Sequence, residues 1–199
     1  NGLTLTADDY TISDNNGTNA DSYTLTITGK GNFTGTATAD FEISPLDIED
    51  AEITLAEPKL VYNGEAQTQE IESVKINDLI LTADDYTISG NTGTNADTYT
   101  LTIMGVGNFT GEATADFEIS PLDIKDAEIT LAESDFVYNG KEQTQKIESV
   151  KVNGLTLTAD DHTISDNTGT NADTYRLTIT GVGNFTGEAT ADFEISPLD

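Results

Sequence analysis

The sequence predicts an all-β protein assembled from antiparallel β-sandwiches, and three observations carry that expectation. Apolar and polar residues alternate with a period of two. Tyr99, Leu101 and Ile103 interleave with Thr98, Thr100 and Thr102, and Ala113, Ala115, Phe117 and Ile119 interleave with Glu112, Thr114, Asp116 and Glu118. Such alternation gives a strand one face toward a core and one toward water. Turn residues interrupt it roughly every 8–12 residues, the spacing of sandwich strands. The pattern then recurs with a period of 76, Asn1, Asn77 and Asn153 opening matching segments, and positions 47–122 and 123–198 differ at only 14 sites. Repetition on this scale sets the domain organisation ahead of chain length and points to duplication within a longer array. It divides the chain into a partial repeat, 1–46, and two complete ones, 47–122 and 123–199.

In the middle repeat, Ala51, Ile53 and Leu55 are the apolar phase of a first short strand, and Pro58 then confines its surroundings to a sheet edge, since proline cannot donate to a ladder. Leu60–Gly64 reads as a strand fragment closed by an Asn-Gly turn. Gln67–Ile76 reads as one strand ending at Asn77-Asp78, which is Asn-Gly in the other two copies, a strong hairpin signal. Leu79-Ile80-Leu81, the turn Thr82–Asp85, the strand Tyr86–Ser89 and the polar loop Gly90–Asn95 follow. The repeat closes on the alternating hairpin Asn95–Ile119, repeated as Asn19–Ile43 and Asn171–Ile195. Its turn, Gly105 to Gly111, is rich in residues that tolerate positive φ. This gives seven strands and no helical periodicity.

The chain carries 36 acidic and 8 basic residues, a formal charge of −28, which makes nucleic acid and anionic membrane surfaces poor partners. Cations and basic surfaces fit it better. The 36% apolar content lies in alternation rather than polar tracts, so the acids read as a solvated skin over a folded chain. There is no cysteine to staple the sheets, and no apolar run approaches the roughly 18 residues of a membrane span. No signal-like start is present, and the sequence reads as a window on something larger. Each repeat is expected to bury only about 60–65% of its unfolded surface, so neighbouring repeats should help stabilise it. The junctions Ile43–Ile48 and Ile119–Ile124 are short, glycine-free and locked by Pro45 and Pro121, which predicts restricted hinges. Repeats of this kind should extend an array into a rod by about 35 Å each.

Residues able to carry chemistry are few. The single histidine, His162, stands where the other copies have Tyr10 and Tyr86, which describes a strand residue and not a catalytic base. No catalytic or zinc site is expected. Asp14, Asn16, Asn19 and Asp21 gather oxygen ligands in one loop, as calcium requires. The competing reading is an Asx-rich turn, because Asp14 and Asn16 become Gly90 and Thr92 in the next copy. Lys75 and Lys151 are the lysines repeated in both full copies and the only candidates for an intramolecular isopeptide bond. They alternate with apolar Val74 and Ile76, which places them on the wet face. Thr24-Leu25-Thr26-Ile27-Thr28 reads as the wet face of a strand ahead of an ice- or carbohydrate-binding row. Asn32, Asn108 and Asn184 lie in Asn-Phe-Thr sequons. In a bacterial source they are turn residues rather than glycan acceptors.

Asn95-Ala96-Asp97-Thr98-Tyr99 resembles the tyrosine corner of immunoglobulin-like domains, with Asp97 where that corner carries glycine. Together with Val61–Gly64, Asp85–Ile88 and the Gly-x-Gly-Asn-Phe-Thr-Gly turns, the whole chain resembles the tandem immunoglobulin-like repeats of large bacterial surface proteins. The resemblance implies immunoglobulin-like sandwiches in a linear array, acting as an extracellular, secreted or wall-attached stalk. Structural residues then matter most: Tyr23, Tyr99 and Tyr175 at the corners, the pairs Gly29 and Gly31, Gly105 and Gly107, Gly181 and Gly183 in the hairpins, and Pro45 and Pro121 at the joints. The expected partners are neighbouring repeats. The alternative is a repeat that is itself adhesive, toward a host or surface ligand such as a glycan or protein, or that assembles with like subunits by strand donation. Deleting one repeat would cost a spacer only reach, but an adhesive repeat avidity. The segment matching 47–76 is absent before residue 1, so 1–46 is completed either by residues outside the sequence or by another chain.

Overall fold

A computed structural model describes residues 2–57, 59–133 and 135–199. The edge role expected of Pro58 therefore lies outside the described residues. Among the described residues every regular element is a strand and none is a helix. The chain divides into two compact units, Asn1–Ala56 with Ile71–Gly90 and Leu101–Ala115, and Glu57–Glu70 with Asn91–Thr100 and Asp116–Asp199. The division passes through the middle repeat.

In the first unit, Tyr10–Ser13, Asp21–Gly29 and Thr36–Ile43 form an antiparallel three-stranded sheet in chain order, with Tyr23 opposite Phe41 and Ile27 opposite Ala37. A second antiparallel sheet joins Glu52–Leu55 to Ile71–Ile76 and then Leu79–Leu81, Ile53 facing Val74. Its ladder shifts register between Thr54 and Leu55. Tyr86–Ser89 pairs with the last residues of Asp97–Gly105. Thr82 fixes the preceding turn by donating from its N–H and hydroxyl to Asp85 Oδ2, at 2.8 and 2.7 Å. Those bonds, the hydroxyl first, hold the Asp85 carboxyl below its usual value of 3.8. Burial raises the Tyr86 hydroxyl above its usual 10.0, with Asp85 adding to it.

The second unit contains the whole third repeat. Glu128–Leu131, Ile147–Val152 and Leu155–Thr156 make one antiparallel sheet. His162–Ser165, Asp173–Gly181 and Glu188–Ser196 make another, extended by Phe136–Val137 in parallel at Ile195–Ser196. One apolar cluster takes Val150, Val152 and Leu157 from around the first sheet and Leu177, Ile179, Ala189 and Phe193 from the second. Alternation decides which residues enter it: in Asp173–Gly181, Leu177 and Ile179 are buried while the interleaved Arg176 and Thr178 are not. Arg176 instead pairs across the outer face with Asp192 at 2.6 Å.

The structure corrects two expectations. The stretch Gln67–Ile76 is not one strand. Gln67–Thr68 pairs with Thr92–Gly93, inside what reads as a polar loop, whereas Ile71–Ile76 pairs with Glu52–Leu55. The change of partner is made at Gln69, which is buried, donates its N–H to Asn91 O and accepts from Asn91 Nδ2. Period-two patterning cannot register a break in which the chain stays extended and only the partner changes. The strand fragment Leu60–Gly64 is likewise shorter, Leu60–Val61, because Gly64 adopts φ +83°. Further two-residue pairings then bring each complete repeat above seven strands.

Candidate functional site: the junction between repeats

The best-formed polar arrangement lies where one repeat ends and the next begins, and it occurs twice. Pro121 follows the strand Glu112–Ser120 and interrupts its ladder, and the chain then runs as Leu122–Asp123 parallel to Phe185–Thr186. Leu122 N–H donates to Asn184 O and Ile124 N–H to Thr186 O, both at 2.9 Å. Asn184 also reaches back into the preceding repeat: its Oδ1 accepts from Ala96 N–H at 2.7 Å, and its Nδ2 donates to Asn95 Oδ1 at 3.1 Å. One residue thus holds the linker with its backbone and the preceding repeat with both ends of its amide.

The earlier junction repeats this geometry. Pro45 precedes Leu46–Asp47, which runs parallel to Phe109–Thr110. Leu46 and Ile48 donate to Asn108 O and Thr110 O at 2.9 Å. Asn108 accepts from Ala20 at 2.7 Å and donates to Asn19 Oδ1 at 3.1 Å. Ile48 and Ile124 are fully buried, which anchors each linker to the repeat it enters.

The tyrosines hold the receiving loop. Tyr99 Oη accepts from Asn95 N–H at 3.1 Å and donates to Asn95 O at 3.0 Å, while its ring stacks on Phe117 at 5.4 Å. Tyr23 does the same with Asn19 and Phe41, and Tyr175 with Asn171 and Phe193. The ring lies so close to Gly93 that a Cβ there would sit 2.5 Å from it, and Gly17 and Gly169 repeat the contact. These glycines are invisible to alternation, although each stands six residues before its tyrosine in the sequence.

The hairpin glycines divide by role. Gly31, Gly107 and Gly183 have φ of +70°, +65° and +65°. Gly29, Gly105 and Gly181 have no positive φ. At Gly105 a Cβ would meet Thr110 N at 2.8 Å, so the requirement is close backbone approach. Gly111 and Gly187 matter more to the joint, since a Cβ on either would overlap Asp47 or Asp123 Oδ1. Those carboxylates cap the linker turn by accepting from Glu49 and Lys125 N–H at 3.0 Å.

The calcium candidates are placed by other bonds. Asp14 occupies φ +56°, as Asp166 does at +58° and Gly90 at +71°, which explains why glycine replaces it. Asn19 Oδ1 accepts from Asn108, Asp21 Oδ1 accepts from Ser22 N–H, and Asn16 is exposed. Among the described residues no group of three or more His, Cys, Asp or Glu side chains is placed to hold a metal ion. Lys75 and Lys151 are exposed. His162 borders an apolar pocket with Ile147, Val150 and Leu157, and its buried Nδ1 has no partner among the described residues.

At the second junction the preceding repeat adds apolar cover. Tyr62 meets Phe185 edge-on at 5.4 Å, and Gly64 lies against Leu155, leaving Phe185 buried. No curated protein matches the chain. The comparison with solved structures gives a similarity to the N-terminal four Ig domains of Dscam1 isoform 9.44 (with zinc), at 7% identity and a TM-score of 0.37. The match covers 89% of this chain and 55% of that one, so this chain spans about half its length. Residues 127–198 match the family model of the MBG domain, a stretch that falls within the third repeat.

Proposed function

We propose that this chain is a non-catalytic spacer: tandem immunoglobulin-like sandwiches in a linear array, forming the stalk of a secreted or cell-surface bacterial protein of the adhesin type. The observation that carries this reading is the duplicated junction, in which Asn108 and Asn184 tie each linker and each preceding repeat to the same turn. A spacer must transmit position from one end to the other, and a joint closed by directional bonds resists bending in a way that a free linker does not. The domain match over 127–198, close to one period, supports the repeat as the structural unit. The acidic surface suits an extended array, because like-charged neighbours repel. Its partners on this reading are the neighbouring repeats of the same chain.

The test replaces both asparagines, Asn108→Ala and Asn184→Ala, and reads residual dipolar couplings for the relative order of adjacent repeats. Each substitution removes two junction hydrogen bonds worth about 1 kcal/mol apiece. Order between repeats should fall while each repeat keeps its own couplings. Unchanged order between repeats would sink the spacer reading.

A further inference from the structure

In the third repeat the two-residue turn Asn153-Gly154 joins Ile147–Val152 to Leu155–Thr156, with Val152 opposite Leu155. Both turn residues have positive φ, +48° at Asn153 and +84° at Gly154, as a tight hairpin requires. Both are exposed, and a Cβ on Gly154 would meet nothing within 4 Å, so the space around the peptide bond between them is open. Among the described residues neither the Asn153 side chain nor the Gly154 N–H has a hydrogen-bond partner. A free side-chain amide therefore stands next to an unhindered main-chain nitrogen, an electrophile beside a nucleophile.

Other Asn-Gly pairs are held. Asn63 Oδ1 accepts from Glu65 N–H and Asn139 Oδ1 from Lys141 N–H, both at 2.9 Å, which fixes each amide in its own turn. Gly64 also packs against Leu155, and Gly17, which follows Asn16, lies under the Tyr23 ring. The middle repeat has Asn77-Asp78 at the matching hairpin. Asn77 keeps φ +53° and Ile76 still pairs with Leu79, but Asp78 sets a Cβ and a carboxylate beside the nitrogen that would have to attack.

We infer that Asn153 is a site of spontaneous deamidation, a modification that ages the third repeat and spares the matching turn of the middle one. The Gly154 nitrogen gives up its proton and attacks Asn153 Cγ. A new N–Cγ bond closes a five-membered imide, the Cγ–Nδ2 bond breaks, and the amide group leaves with that proton as ammonia. Water then opens the imide. Attack at Cγ yields aspartate, and attack at the main-chain carbonyl of residue 153 yields isoaspartate, in which the chain runs through Cβ and Cγ. Isoaspartate lengthens the turn by one backbone carbon. Pairing of Val152 with Leu155 and of Lys151 with Thr156 depends on that length, and Val152 and Leu157 on either side are buried in the core.

The test incubates the 199-residue chain in warm, mildly alkaline buffer and maps its peptides by mass spectrometry, with electron-transfer fragmentation to separate aspartate from isoaspartate. The mass gain of amide-to-acid exchange should appear first at Asn153. Its rate should exceed those at Asn63 and Asn139 by about fivefold or more, the rate equivalent of the one hydrogen bond that holds each of them. Gly154→Asp installs the residue with which the middle hairpin folds, and should slow conversion at Asn153 by about tenfold or more. In the aged chain, hydrogen exchange should quicken across 147–156 and stay unchanged across 71–81. Three results would overturn the inference: Asn153 persisting intact, conversion at Asn63 or Asn139 as fast as at Asn153, or a rate at Asn153 indifferent to Gly154→Asp.

Discussion

Glycine and tyrosine at a fixed spacing show how one residue limits another. Gly93 exists because the Tyr99 ring occupies the space a Cβ would need, and the ring cannot yield while it stacks on Phe117 and bonds Asn95 through its hydroxyl. Gly93→Ala should destabilise the chain by about 1–3 kcal/mol, the usual range for overpacking. In a Tyr99→Ala background the same change should cost much less, and a double-mutant cycle by urea unfolding would measure the difference. Asp85 gives a residue-scale prediction of a different kind. Its folded value lies below 3.8, so its contribution to stability is present above that pH and lost as pH falls through the folded value. Carbon-detected titration should place the Asp85 midpoint below 3.8, and Thr82→Val should move it upward by removing the hydroxyl donor.

At the scale of elements, the junction is a strand pairing with an asparagine lock, and at the second copy the Tyr62 ring adds an edge-on contact with Phe185. Tyr62→Ala should loosen the second junction. Exchange at the Leu122 and Ile124 amides should quicken, with a loss of about 0.5–1.5 kcal/mol for the aromatic pair in addition to the burial of the ring. If exchange there is unchanged, Tyr62 has no part in holding the joint. Much of the element layout was legible in the sequence: the long hairpin, the Asn-Gly turns and the phase that buries Leu101 and Ile103 all follow from local periodicity. The tyrosine ring on glycine, the partner change at Gln69 and the lock at Asn184 were not, because each depends on a contact outside the alternating window. Asn184 meets Ala96 across 88 positions, and nothing within either local window marks the pair. The sequence does show that the asparagine stays fixed at 32, 108 and 184 while the residue two positions before it changes from Lys30 to Val106.

For the molecule as a whole, charge is the dominant feature. With −28 spread over 199 residues and only eight cations, carboxylates crowd the solvent-facing surface and repel one another. Raising sodium chloride from about 10 to about 150 mM shortens the screening length from roughly 30 to 8 Å, so the melting temperature by calorimetry should rise. A melting temperature that falls would show attraction to outweigh repulsion.

The asparagine that closes each joint also stands in an Asn-Phe-Thr triplet, and the nitrogen that would accept an oligosaccharide is the one that donates to Asn19 or Asn95. Manufacture of this chain in a secretory host that modifies such triplets would set a branched sugar in place of that hydrogen bond. The choice of expression system therefore decides whether the purified material has its joints open or shut.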